Sequence, residues 1–108
     1  MTGIKIRTKP QGDKTLVRLL IEHPMETGRR PDEQTGRPVP AHYITELTVE
    51  HNGRPAVHGL LSTAVSRNPY FAFRLGNARP GDVIRIAWVD NLGQHASAEA
   101  RIGEAGDG

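Results

Sequence analysis

The chain reads as an all-β protein, an immunoglobulin-like antiparallel β-sandwich of about seven strands, with a small β-barrel as the competing fold. Three observations predict this. Short runs that alternate apolar and polar residues recur from Ile4 to Arg101, separated by Gly, Pro, Asn and Asp clusters. An Asn-Gly pair, Asn52-Gly53, stands between two such runs and is the strongest short hairpin signal, because a type I′ turn needs positive φ twice. No stretch carries the apolar period of a full-length helix.

Ile4-Lys5-Ile6-Arg7 alternates as a half-buried strand does, and Gln11-Gly12-Asp13 is a turn. Thr15 to Glu22 forms the second strand, with Val17, Leu19 and Ile21 on one face. A long polar loop follows, from His23 to about residue 40. Its prolines at 24, 31, 38 and 40 cannot donate to a ladder and bar a regular helix. Structureless segments of this length are uncommon inside a compact domain, so the loop reads as functional or disordered. Tyr43 to Glu50 is the third strand, with Tyr43, Leu47 and Val49 inward and Ile44 opposite. Ala56 to Leu61 is the fourth. Ser66-Arg67-Asn68-Pro69 turns the chain into Tyr70 to Leu75, where Phe71, Phe73 and Leu75 align. Ala78 to Asp82 turns again into the β-branched strand Val83 to Asp90. Asn91-Leu92-Gly93 leads into a last strand at about 94 to 102. The domain therefore spans 1–102, with 103–108 expected as a flexible Gly/acidic tail.

The composition narrows the function classes. Zero cysteine removes disulfides, thiolate metal sites and thiol nucleophiles together. The net charge is +2, from 14 basic and 12 acidic residues. The basic residues lie mostly one per strand, and Arg29-Arg30 are followed at once by Asp32-Glu33. Nucleic-acid binding calls for a clustered stripe, so no nucleic-acid partner is expected. Met1 to Arg7 carries no leader pattern, and no apolar run approaches the roughly 18 residues of a membrane span.

Chemistry is sought first among five histidines, His23, His42, His51, His58 and His95. None has the local spacing of a zinc site, although His23 and His42, at the two ends of the loop, are the pair best placed to meet. Ser62, Ser66 and Ser97 lack a nucleophile elbow. Asp90 and Glu22 lie near strand ends, where a carboxyl caps a turn. No catalytic, cofactor or metal residue is assigned, and no cofactor is expected. Trp88 reads as the central plug of the sandwich core. Met25 stands in a polar loop where no core period demands it, and its sequence fits a partner surface or a fold back over the core edge equally well. Asn68-Pro69-Tyr70 opens a strand with Tyr70 free to reach outward.

The motifs His-Pro-Met-Glu-Thr-Gly at 23–28, Pro-Ala-His-Tyr-Ile at 40–44, His-Asn-Gly at 51–53, Ser-Arg-Asn-Pro-Tyr at 66–70 and Trp-Val-Asp-Asn-Leu-Gly at 88–93 resemble the SoxZ family. The resemblance covers nearly the whole chain. It implies a non-catalytic subunit of the carrier protein of bacterial thiosulfate oxidation. The partner implied is a SoxY-like subunit, whose C-terminal cysteine holds the sulfur intermediates and passes them among the other Sox enzymes. It also implies a periplasmic setting without a signal of its own, through export with the partner. The expected partner surface is His23, Pro24, Met25 and Glu26 of the loop with Asn68, Pro69 and Tyr70, and the isolated chain is expected to form a homodimer through exposed edges. Two rival readings are a free-standing immunoglobulin-like ligand- or protein-binding module and a small metal enzyme built on His23 and His42.

Overall fold

In the computed structural model, residues 3–60 and 67–103 are described. The Ser62 and Ser66 readings and the 104–108 tail lie outside them. Among the described residues seven strands form, β1 Ile4–Gln11, β2 Lys14–Ile21, β3 Ile44–His51, β4 Arg54–Leu60, β5 Tyr70–Gly76, β6 Val83–Asp90 and β7 His95–Arg101. They build two antiparallel sheets, in the orders β1-β2-β5 and β4-β3-β6-β7. The chain crosses between the sheets after β2, β4 and β5. The sandwich expected from the sequence is the one observed.

The core lies between the sheets and follows the two-residue strand period. Thr15, Val17, Leu19 and Ile21 of β2 point inward, against Ile84, Ile86 and Trp88 of β6. Asn52 and Gly53 both take positive φ, 51° and 82°, as the hairpin signal requires. One strand face differs from expectation. Ile44 is fully buried together with Leu47 and Val49, although strict alternation puts it opposite them. A β-bulge explains this: the register against β6 shifts between Ile44 and Glu46, so one residue is skipped and Ile44 swings to the core face.

The long loop is also more ordered than its prolines suggest. An antiparallel bridge joins Glu26 to His42, and a second joins Pro31 to Pro38. At the tip enclosed by the second bridge, Asp32 Oδ1 accepts the amides of Gln34 and Thr35, closing an Asx turn. Gly28 takes φ +85° where Ala41 packs against it, so the two arms of the loop approach at a position that suits only glycine.

The scatter of basic residues is a second correction. On the outer face of the first sheet, cross-strand register puts Lys5 beside Leu20 and Tyr70, Arg7 beside Arg18 and Ala72, and Lys9 beside Leu16 and Arg74. Lys14 lies in the next row, opposite Gln11. Residues distant in the chain are thus stacked into one basic face. The absence of a stripe in the sequence was therefore a poor guide to the surface.

Candidate functional site

The loop arms converge on Asp90, the last residue of β6. The strand period turns its carboxylate toward the core, where it is 3% exposed. An isolated buried carboxylate is costly, and this one is fully partnered. Oδ1 accepts the amides of Leu92, at 3.0 Å, and Gln94, at 2.8 Å, which caps the turn into β7. Oδ2 takes the two histidines from the ends of the loop, His23 Nε2 at 3.1 Å and His42 Nε2 at 2.8 Å. The pair best placed to meet does so, with ring centroids 4.5 Å apart in an edge-to-face arrangement. His23 also stands edge-on to Trp88, at 5.1 Å. Burial pushes the Asp90 carboxyl up, but the bonds from His23, His42, Gln94 and Leu92 outweigh it and hold the group below the usual carboxylate range.

The hydrogen-bond network assigns the protons. His23 Nδ1 accepts the Met25 amide at 3.2 Å, so a neutral ring carries its proton on Nε2 and donates it to Asp90. His42 Nε2 faces two acceptors, Asp90 Oδ2 and Gln94 Oε1, and is likewise the donor. The three ligand atoms lie within 4.8 Å of one another, a spacing compatible with a metal ion. A metal would need the lone pair of each Nε2, and the proton displaced from His23 would move to Nδ1, against the Met25 N–H. This donor set fits a hydrogen-bonded clamp better than a metal centre. Among the described residues, no serine or threonine hydroxyl bonds to either imidazole.

Met25 completes the clamp. It takes φ +51°, rare for a side chain of its size, and is 5% exposed in the core cluster. Its Sδ accepts the Ile44 amide at 3.3 Å, next to the bulge. The expected surface roles of Met25 and His23 are thereby overturned: both side chains are internal, where they tie the loop to the sandwich. Pro69 is buried too, its carbonyl accepting the Ile21 amide. Glu26 is half-buried and bound to Arg30. Pro24, Asn68 and Tyr70 remain exposed, Tyr70 at 60%. The two segments are adjacent, since Asn68 Oδ1 accepts the His23 amide and the Asn68 amide bonds the His23 carbonyl.

The free sheet edges differ in chemistry. β1 carries Lys5, Lys9 and Pro10, and β7 carries Glu99 and Arg101, the usual guards against edge pairing. β4 and β5 also carry Arg54, Pro55 and Arg74, but they expose large apolar side chains as well, Val57 at 38% and Leu60 at 77% on β4 and Tyr70 on β5. Residue-by-residue reading of the sequence did not single out Leu60. Its signal was an apolar residue on the polar phase of β4, opposite Glu46.

A family model described as "Sulphur oxidation protein SoxZ" matches residues 4–101, nearly the whole chain. Comparison with individual curated proteins gave no match. No helix of the described residues is long and apolar enough to cross a membrane.

Proposed function

Because the chain belongs to the SoxZ family of sulphur oxidation proteins, we propose that it is the non-catalytic subunit of a sulfur-carrier heterodimer. Its partner is a SoxY-like chain whose cysteine holds the sulfur intermediate, and the pair works in the periplasm after joint export. The observation that carries this reading is family membership in a chain with no cysteine of its own, so the sulfur must be held elsewhere. The buried histidine–aspartate cluster supports it as well, because its protons are committed to holding the loop.

The partner covers the apolar edges of β4 and β5, centred on Leu60 and Tyr70 and flanked by Pro24 and Asn68. Unpaired strand edges offer backbone hydrogen bonds, and their exposed apolar side chains supply the burial that association needs. When the partner is absent, the same edges pair two copies of this chain. Light scattering on the isolated protein then detects a dimer at high concentration.

Calorimetric titration with the SoxY-like subunit tests the reading. Tight one-to-one binding is expected, with Leu60→Asp and Tyr70→Ala each weakening it about tenfold or more, as centrally buried anchors do. No binding to a folded partner would leave the independent binding module as the better account.

A further inference from the structure

The outer face of the β1-β2-β5 sheet carries a charge pattern that the carrier reading does not use. Lys5, Arg7, Lys9, Lys14, Arg18 and Arg74 all project from it and are exposed, and the same cross-strand rows contain no aspartate or glutamate. None of these cations is ion-paired among the described residues, and Arg74 has only the neutral Gln11 amide, at 3.3 Å. Arg7 and Arg18 stand directly opposite each other, a like-charge cross-strand pair that costs the folded state stability. A shallow groove of about 270 Å³ runs over this face, lined by Lys5, Arg7, Arg18, Leu20 and Tyr70.

The outer face of the other sheet handles its charges differently. Arg85 lies between Glu50, at 3.5 Å, and Glu99, at 3.9 Å, and His58 approaches Glu46 at 3.5 Å. Cross-strand neutralisation is thus available in this fold, and the first sheet does not use it.

We propose that the basic face of the β1-β2-β5 sheet docks the carboxylate-rich surface of an acidic protein. Lys5 to Lys9 covers about 14 Å along β1, and the three strands together about 10 Å across. That is wider than one inorganic oxyanion and suited to a row of carboxylates. Leu16, Leu20 and Tyr70 interleave the cations and supply the apolar contact of a protein interface. A face of one sign opposite acidic groups also steers the encounter, most strongly at low ionic strength. Tyr70 of β5 belongs both to this face and to the edge assigned to the carrier partner, whereas the β1 cations Lys5, Arg7 and Lys9 lie at the opposite edge of the sheet.

The test uses the isolated chain and a labelled oligoglutamate peptide, read by fluorescence anisotropy, and does not depend on the carrier partner. Binding is expected at low salt and is weakened strongly at about 0.15 M, where the Debye length is near 8 Å. The Arg7→Gln/Arg18→Gln variant is expected to bind about tenfold more weakly, and Arg85→Gln, on the other face, to bind as the parent does. The double variant removes a like-charge pair, so its thermal midpoint should not fall, which separates lost binding from lost folding. No binding at low salt, or equal weakening by Arg85→Gln, would overturn the proposal. So would displacement of the peptide by sulfate or thiosulfate at an ionic strength where chloride has no effect, which would assign the groove to a small oxyanion. Tighter binding of a DNA duplex than of the peptide would overturn it in favour of a nucleic acid.

Discussion

The clamp at Asp90 and the basic face of the first sheet are both clusters of polar side chains, yet they are opposite in arrangement. In the clamp, both carboxylate oxygens of Asp90, both nitrogens of His23 and the Met25 sulfur have partners within 3.3 Å. On the face, like charges stand in register with no acid among them. A buried polar group without partners is expensive, as at Trp88 Nε1, which has none among the described residues, so the pairing of these clamp atoms marks a structural device. An exposed set left unpaired costs little and is free to bind something else. The contrast teaches that His23 and His42, the residues most suggestive of chemistry, hold the loop in place, while the surfaces proposed for recognition carry plainer side chains.

The largest test of this contrast removes the hub of the clamp. Asp90→Ala leaves the buried His23 donor and two turn amides without an acceptor, and His42 with Gln94 alone, and a loss of about 3–5 kcal/mol in denaturant unfolding is expected. A loss near zero would mean that the clamp contributes nothing to stability. Next comes Gly28→Ala. Its Cβ would sit 3.2 Å from that of Ala41 on a backbone at φ +85°, and a cost of about 1–2 kcal/mol follows from the conformation alone.

Acid separates the clamp from its half-buried counterpart at Asp82, where His51 Nε2 stands 2.7 Å from Oδ2. The His51 bond, with those of the Arg79 amide and Asn52, lowers the Asp82 carboxyl from 3.8 to about 2. A depressed carboxylate stabilises the fold above its unfolded value and loses that contribution as pH falls toward its folded one. Asp82→Asn should therefore flatten the decline of stability between about pH 4 and pH 2. Because Asp90 is held low as well, the remaining decline should persist in that variant. An unchanged slope would contradict the assignment.

The smallest effects compare the two outer faces. Arg85→Gln breaks pairs with Glu50 and Glu99 and should cost about 0.5 kcal/mol. Arg7→Gln relieves its apposition to Arg18 and should stabilise by a few tenths of a kcal/mol. Opposite signs sharpen the contrast between the faces, and equal signs break it.

Much of the fold was legible because its signals are local. The β-branched run Val83–Asp90, the Asn52-Gly53 turn and the alternation at Val17, Leu19 and Ile21 each depend on neighbours within a few residues. What escaped depends on register. Ile44 joins the core through a bulge set by its pairing with β6, which alternation within β3 does not encode. Met25 looked free because its partner, the Ile44 amide, is far along the chain. The basic face required knowing that Arg7 pairs with Arg18 and Leu16 with Arg74. Its trace in the sequence was the single-sign polar phase Lys5, Arg7, Lys9 beside Lys14 and Arg18, in two strands joined by a Gly12-Asp13 turn.

The division of labour between clamp and surface is tested most directly by amide hydrogen exchange on the chain alone and with a SoxY-like subunit. The account predicts that the amides of Met25, Ile44, Leu92 and Gln94 exchange slowly in both states. New protection should then appear along β4, β5 and Asn68. Fast exchange at the clamp in the free chain, slowed only by the partner, would contradict it and make the histidine–aspartate cluster part of the recognition surface.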